Sequence, residues 1–291
     1  MKDLGRLKYF LGVEVARSSK EIFRCQRKYT LDIITEAGLL AAKPAATLCE
    51  ENHRLASAAG PVLSDPSMYR RLVGRLIYLS FTRPDLAYSA HVFSQFMQNP
   101  RTEHWHAALR VVRYLKGHPG QGILLLKEND LQFYGWCDSD WAGCPLTRRS
   151  LTEWFIQFGT TPISWKTQKQ QTVSASFAEV EYHSMAKATR ELIWIKDILS
   201  SLHMSHPAPI RLHCDSQAAL HIAKNLVFHE RTKHIEVDCH FVWDEIIHNR
   251  LLPSYIPTHL QLADIFTKTF GTKQFGKLLV KLGIQYLHAP T

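Results

Sequence analysis

Phe133-Tyr134-Gly135-Trp136-Cys137-Asp138-Ser139-Asp140-Trp141 is the stretch of sequence that decides the fold. It alternates and is rich in aromatic residues, which predicts a strand over residues 131–138. Asp138 lies where this strand is expected to end. A carboxylate in that position is held rigidly by the buried strand and still meets solvent. This placement suits a metal ligand.

A second stretch repeats the pattern, because Ile210-Arg211-Leu212-His213-Cys214-Asp215 alternates and then ends in Asp before a Ser that opens a short helix. For either Asp alone, capping of the following helix is an alternative role. Asp264 also has an apolar setting, between Leu262-Ala263 and Ile265-Phe266. The carboxylates of Asp138, Asp215 and Asp264 are thus expected to lie next to buried strands or apolar side chains.

A long predicted helix, capped by Ser174 or Ser176 and running to about His203, supplies the fourth carboxylate. One face of this helix repeats every three or four residues and carries Glu181, Met185, Ala188, Leu192, Ile195, Leu199 and Leu202. Glu181 should therefore point inward, while Glu179, about 200° away, should face solvent. An inward Glu is costly unless it is paired or binds metal; the alternative is a chance Glu at a frayed helix start.

Hard carboxylate oxygens select magnesium or manganese over zinc. Asp138, Glu181, Asp215 and Asp264 are therefore predicted to converge and to hold two Mg²⁺ ions, with Mn²⁺ as a substitute. Two such ions can support phosphodiester hydrolysis. The residues alone predict a metal-dependent nuclease-like site.

Charge is distributed unevenly along the 291 residues. The net charge of +9 lies entirely within residues 1–127, and residues 128–291 are neutral. This pattern fits an anionic polymer that is gripped by one part and processed by the other; a solubilising surface is the alternative. There is no apolar run long enough for a membrane span, no secretion signal and no CxxC pair, so we expect no membrane association and reduced thiols.

The pattern changes from helical to extended near residue 127, where we place a domain boundary. Before it, a hairpin of strands at residues 7–15 and 22–27 precedes helices that carry basic residues between positions 66 and 116. Those expected to contact nucleic acid, with a solvated face as the alternative, are Arg70, Arg71, Arg75, Arg110 and Arg113. After the boundary, the order is three strands, a helix, a strand, helices, a strand and a helix, which predicts a mixed α/β layer.

Several separated motifs resemble, in the right order, the Pol polyprotein of copia-type LTR retrotransposons, with a plant element as the nearest likeness. In the first part these are Leu7–Val15, Tyr69–Gly74 and Thr82–Asp85. In the second they are Cys137–Cys144, Arg148–Ser150, Ala178–Tyr182, Cys214–Ser216, Arg231–Glu236 and Ala263–Lys268.

The resemblance implies a reverse transcriptase thumb and connection remnant over residues 1–127. Over residues 128–291 it implies an RNase H-like domain, with a mixed five-stranded sheet and helices on both faces. Asp138, Glu181, Asp215 and Asp264 match the D-E-D-D set of that fold, whose order argues against an integrase. The implied activity is magnesium-dependent endonucleolytic hydrolysis of RNA in RNA–DNA hybrids. Nucleic-acid contacts are also expected from Arg231, Lys233 and His234, and an auxiliary role from His259.

The polymerase motif Tyr-x-Asp-Asp is missing, so no polymerase activity is expected from the chain by itself; a longer polyprotein would supply the palm and fingers. No small-molecule cofactor is expected, and cytoplasmic or nuclear location follows only by resemblance. Glu153 stands where the family has Gly, and Phe177 where it has a small residue. These departures suggest drift, with a turn or a close backbone approach disturbed at Glu153 and the site crowded by Phe177. They keep open a catalytically decayed, non-enzymatic nucleic-acid-binding fragment.

Overall fold

The structure, a computed structural model, describes residues 5–51, 53–225 and 235–286. The chain forms two compact units, one from Met1–Asn129 with Lys268–Thr291 and the other from Asp130–Thr267. Within the described ranges each unit has a five-stranded sheet, and eight α-helices accompany the two sheets. The predicted α/β class with an RNase H-like five-stranded sheet is confirmed.

The first unit combines its sheet with five helices. The strand order is β1-β2-β3-β4-β10, and every neighbouring pair is antiparallel. Its elements are β1 (Tyr9–Phe10), β2 (Val13–Arg17), β3 (Glu21–Cys25), α1 (Arg27–Glu36), α2 (Pro66–Leu79), α3 (Ala87–Ser94), α4 (Thr102–Gly117), β4 (Gln121–Leu126), α8 (Thr272–Lys281) and β10 (Ile284–Tyr286).

The hairpin at the start of the first unit differs from the sequence prediction. The single strand expected over residues 7–15 is wrong, because Leu11 and Gly12 have φ values of 48° and 78° and turn the chain between β1 and β2. Gly adopts this left-handed region at little cost, whereas Leu11 does so only under the constraint of the turn. The partner strand β3 forms as expected.

The helices of the first unit follow their sequence signals. Asp65 accepts a hydrogen bond from Ser67 N at 2.9 Å and Pro66 is the first residue of α2, as the capping pattern predicts. Helix α4 begins at Thr102. The segment that starts at Pro84 is divided into a 3₁₀ turn, Pro84–Leu86, and α3.

The C-terminal segment lies in the first unit, which differs from the expected division into residues 1–127 and 128–291. Strand β10 pairs with β4, with Ile284 opposite Ile123, and Phe275 of α8 packs its ring 5.8 Å from that of Tyr114. The change of unit after Asn129 is close to the expected boundary. The segment from Lys268 onward joins the first unit because its strand completes that sheet.

The second unit has the sheet order β7-β6-β5-β8-β9. Strands β5, β6 and β7 are antiparallel neighbours, whereas β8 and β9 continue parallel to β5. Its elements are β5 (Phe133–Asp140), β6 (Leu151–Phe158), β7 (Thr161–Lys169), α5 (Phe177–Ser201), β8 (Ile210–Cys214), α6 (Gln217–Lys224), α7 (Glu236–Ile247), β9 (Leu251–Tyr255) and two 3₁₀ turns, Thr258–Leu260 and Ala263–Phe266.

The two faces of this sheet are covered by different segments. On one face, Cys137 and Trp154 share a buried core with Met185 of α5. Because side chains alternate along a strand, the neighbouring residues point to the other face. There Phe155 packs its ring 5.8 Å from that of Phe266. In the described ranges, no helix is both long and apolar enough to cross a membrane.

Candidate metal centre

The candidate site lies where the two central strands of the second unit stop pairing. The last register pair of β5 and β8 is Trp136 with His213. Asp138 and Asp215 each lie two residues beyond it, so their carboxylates face a region where the parallel ladder has ended. Asp215 is not a helix cap, since the capping residue of α6 is Ser216, which accepts a hydrogen bond from Ala219 N at 3.2 Å.

Glu181 enters the site from the first turns of α5 and is fully buried. The inward orientation predicted for it is confirmed. Among the described residues, neither of its carboxylate oxygens has a hydrogen-bond partner. Burial raises the pKa of Glu181 well above its usual value, and the charges of Asp138, Cys214 and Asp215 raise it further; the Ser139 hydroxyl acts in the opposite direction.

Glu179, which was expected to face solvent, is instead 7 % exposed, so that prediction is wrong. Its Oε2 accepts a hydrogen bond from Ala175 N at 2.8 Å, while Ser176 accepts one from Glu179 N at 3.2 Å. This reciprocal arrangement satisfies backbone donors at the helix start and draws the side chain back over the first turn. Glu179 therefore stabilises the end of α5 that carries Glu181.

Among the described residues, the acidic and thiol groups that approach most closely are Glu181, Cys214 and Asp215. One ligand atom from each lies within 4.8 Å of the others. Cys214 and its neighbour Cys137 are both buried free thiols. The pKa of Cys137 is raised by its side-chain hydrogen bond with Cys214 and by burial. Thiol sulfur is a soft donor and a poor ligand for a hard cation, so the oxygens of Glu181 and Asp215 are the useful donors.

Asp138 is 2 % exposed and lies beside this cluster without being one of its three members. The Thr267 hydroxyl lies 3.0 Å from Asp138 Oδ2 and 3.0 Å from the backbone oxygen of Asp264. Asp264 is 7 % exposed in the turn Ala263–Phe266. The Thr267 side chain thus connects the Asp138 carboxylate to the backbone of Asp264.

Several residues that hold the site in place carried no signal in the sequence. Ser184 Oγ lies 2.6 Å from the carbonyl oxygen of Asp138. Gln261, 1 % exposed, donates from Nε2 to the carbonyl oxygen of Cys137 at 3.0 Å. Thr258 donates to Asp215 Oδ2 at 2.7 Å. The only usable hint was that Thr258, Gln261 and Thr267 lie close in sequence to Asp264.

The other predicted site residues are placed as follows. His259 is exposed and follows Thr258, so it lies in the turn that contacts Asp215. Three predicted nucleic-acid contacts, Arg231, Lys233 and His234, lie outside the described residues. The role predicted for His259 and for these three stays a prediction.

The predicted basic face of the first unit already has internal partners. Arg71 and Arg75 both pair with Glu36. Further contacts are those of Arg70 with the carbonyl oxygens of Met97 and Gln98 and of Arg110 with Glu50 and Thr47. Arg110 and Arg113 also line a cavity of about 510 Å³ whose wall includes Arg54. Glu50 and Glu103 line the same cavity, so its charge is partly balanced, and contact with nucleic acid stays a prediction.

The two departures from the resembled family do not act as expected. Phe177 is 49 % exposed at the first position of α5, so it does not crowd the site. Glu153 is not in a turn. It lies within β6, directly opposite Asp138, and is fully buried. The expectation of a disturbed turn is wrong because β6 pairs without interruption from Leu151 to Ile156.

The residues present fit a divalent cation with a preference for oxygen ligands. A buried carboxylate without hydrogen-bond partners is costly, and its cost rises with other negative groups nearby. Glu181 is in this situation beside Asp138 and Asp215. A cation such as Mg²⁺ would compensate their charge, and Asp138, Glu181, Asp215 and Asp264 are the residues that would hold it.

The sheet order and the carboxylates at the end of the β5–β8 pairing define a protein with an RNase H-like fold. No family model matches the chain. The retrovirus-related Pol polyprotein from transposon RE2 of Arabidopsis thaliana is 40 % identical over 286 residues, or 98 % of this chain and 20 % of that protein. The corresponding polyprotein from transposon TNT 1-94 of Nicotiana tabacum is 32 % identical over 284 residues, which are 94 % of this chain and 21 % of that protein.

The chain belongs to the family of plant retrovirus-related Pol polyproteins of the copia type, and it derives from a retrotransposon. It spans about a fifth of the length of the curated transposon relatives that it matches. An uncharacterised mitochondrial protein of Arabidopsis thaliana is also similar, at 40 % identity over 196 residues, which are 67 % of this chain and 80 % of that protein.

Proposed function

We propose that the unit Asp130–Thr267 is an RNase H-type endoribonuclease that hydrolyses the RNA strand of RNA–DNA hybrids and requires magnesium. The observation that carries the proposal is Glu181, a buried carboxylate that has no hydrogen-bond partner within the described ranges and is close to Asp138 and Asp215. Structural carboxylates in protein interiors normally have donors. A site that leaves one without donors is suited to a cation.

Different residues of the chain have different roles in the proposed reaction. Asp138, Glu181, Asp215 and Asp264 hold the metal, and Thr267 and Thr258 fix the orientation of the Asp138 and Asp215 carboxylates. Two Mg²⁺ ions, when bound, supply activation of water and stabilisation of the charge on the leaving oxygen. His259, exposed in the turn whose Thr258 contacts Asp215, would deliver a proton to the leaving group.

The remaining parts of the chain act in binding. The positive charge around Arg110 and Arg113 in the first unit holds the phosphate backbone of the hybrid. The printed sequence contains no Tyr-x-Asp-Asp motif, so no polymerase activity is proposed for these residues alone. The palm and fingers of a longer polyprotein are the proposed partner for synthesis.

The test is cleavage of four end-labelled substrates by the purified full chain in Mg²⁺: an RNA–DNA hybrid, single-stranded RNA, double-stranded RNA and double-stranded DNA. Only the RNA of the hybrid should be cut. Glu181→Gln should lower the rate by at least a hundredfold. Glu191→Gln is the matched control, since Glu191 lies ten residues along the same helix, where it accepts a hydrogen bond from Ser164; its rate should be unchanged.

Binding of the hybrid without cleavage, in both Mg²⁺ and Mn²⁺, would contradict the proposal. That outcome would support the alternative function, a nucleic-acid-binding fragment that keeps the fold and has lost turnover.

A further inference from the structure

A fifth carboxylate, that of Glu153, lies next to the candidate metal centre. Strands β5 and β6 pair Asp138 directly with Glu153. Residues opposite each other in an antiparallel pair project to the same face, with Cβ atoms about 4.5–5.5 Å apart. Asp138 is 2 % exposed and Glu153 is fully buried, so the two carboxylates lie in the protein interior and are shielded from bulk water.

Glu153 projects to the face of the sheet that carries Asp264. On the same strand, Phe155 contacts Phe266. Thr167, the register partner of Glu153 on β7, donates to the carbonyl oxygen of Phe266 at 3.1 Å. Thr267 contacts Asp138 on the other side. Glu153 is therefore enclosed between Asp138 and β7, beneath the segment that holds Asp264.

Two carboxylates in direct opposition destabilise a strand pair when both are charged. Burial increases this cost, because the surrounding dielectric constant is low. A divalent cation beside Asp138 removes the cost for both groups. Glu181 points independently to such a ligand, since it is fully buried and no described residue donates a hydrogen bond to its oxygens.

We propose that Glu153 is a further acidic determinant of this metal centre and strengthens its binding of a divalent, oxygen-preferring cation. The inference rests on the proposed function in that both need a cation at Asp138. It goes beyond that function because the resembled family has Gly at this position. The centre of this chain would thus carry five carboxylates rather than four.

The test is calorimetric titration of the full chain with MnCl₂ and MgCl₂ at pH 7, compared with Glu153→Gln, which keeps the size of the side chain and removes its charge. We expect the affinity for Mn²⁺ to fall by about tenfold or more, the lower end of the effect of groups that support metal ligands. In chelator the same variant should melt no lower than the wild type, because the opposition to Asp138 is removed.

Three further variants are measured beside it. Glu153→Gly, which has the residue of the resembled family, gives a second reading should the Gln variant not fold. Glu181→Gln should lose cation binding, and Glu191→Gln, the matched loss of charge farther along α5, should keep it.

Equal or tighter Mn²⁺ binding by both Glu153 variants, together with loss in Glu181→Gln, would overturn this inference and leave the proposed function standing. A wild-type chain that binds neither cation would overturn both.

Discussion

Replacing Glu181 with Gln should stabilise the metal-free protein, although substitutions of fully buried residues usually destabilise. The wild-type carboxylate is fully buried, has no hydrogen-bond partner at either oxygen in the part of the chain that the structure describes, and lies near three groups that raise its pKa. Gln has nearly the same size and carries no charge. The change therefore removes the repulsion and the larger part of the desolvation cost without opening a cavity.

The expected gain can be bounded. A buried polar group without partners costs about 1–3 kcal/mol, and a charged one costs more. Since the Gln amide is also buried, only the part due to charge is recovered, and we expect a gain of about 1–3 kcal/mol. For a domain of this size, each kcal/mol shifts the melting temperature by about 2–4 °C, so Tm should rise by roughly 2–12 °C.

The effect should depend on pH and on metal. Because the folded-state pKa of Glu181 is raised above its usual 4.5, the contribution of this group to stability is fully present below that pH and is lost as pH rises towards the folded-state value. Glu181→Gln should lack this loss. Mg²⁺ at 100 times its dissociation constant should stabilise the wild type by about 2.7 kcal/mol and the variant far less.

The assay is thermal and urea unfolding of both proteins between pH 5 and 8, in chelator and in Mg²⁺. Asp138→Asn, at a second ligand position, should show the same dependence on metal. A Glu181→Gln protein that is destabilised in chelator at pH 7, or that gains as much from Mg²⁺ as the wild type, would refute the reasoning.

Three further predictions concern other contacts. Arg83→Met should destabilise the first unit by about 3–5 kcal/mol in urea unfolding, because it leaves the buried Asp85 carboxylate, now 2.7 Å from Arg83 Nη2, without its ion pair; a loss below 1 kcal/mol would contradict this. Thr258→Val should lower hybrid cleavage about tenfold, since it removes the hydroxyl bonded to Asp215, and an unchanged rate would show that this bond does not orient the ligand. Burial acts to raise the pKa of Asp238, but hydrogen bonds from a histidine and an arginine of α5 outweigh it and lower the pKa. The stability that this group contributes should therefore be lost as pH falls below about 3.8. Asp238→Asn should lack that loss in acid unfolding, and an acid transition identical to that of the wild type would contradict the prediction.

Local patterns were sufficient to predict the central strands and the inward side chain of the long helix. Alternation identified β5 and β8, and the spacing of apolar residues distinguished Glu181 from its neighbour. The same helical geometry failed for Glu179, because at the first turn of a helix the side chain bonds back to free backbone donors. Near a helix end, hydrogen bonds that cap the helix decide where a side chain points, and the helical repeat does not.

Contacts that are distant in sequence could not be predicted. The pairing of Ile284 with Ile123 places the last segment in the first unit, and nothing in the local sequence of β10 indicates its partner. Thr267 reaches Asp138 across 129 positions. Glu153 could be recognised as an unusual residue, but only the strand register shows that it opposes Asp138. These features depend on which elements meet, and single-segment patterns do not determine that.

The most direct test of the central claim is cleavage of an end-labelled RNA–DNA hybrid by the purified full chain in Mg²⁺, with Asp138→Asn measured beside it. The account predicts endonucleolytic cuts in the RNA strand by the wild type, their loss on chelation, and a rate at least a hundredfold lower for Asp138→Asn at unchanged Tm or above. Equal cleavage by both proteins, or no cleavage by a wild type that binds the hybrid, would contradict it.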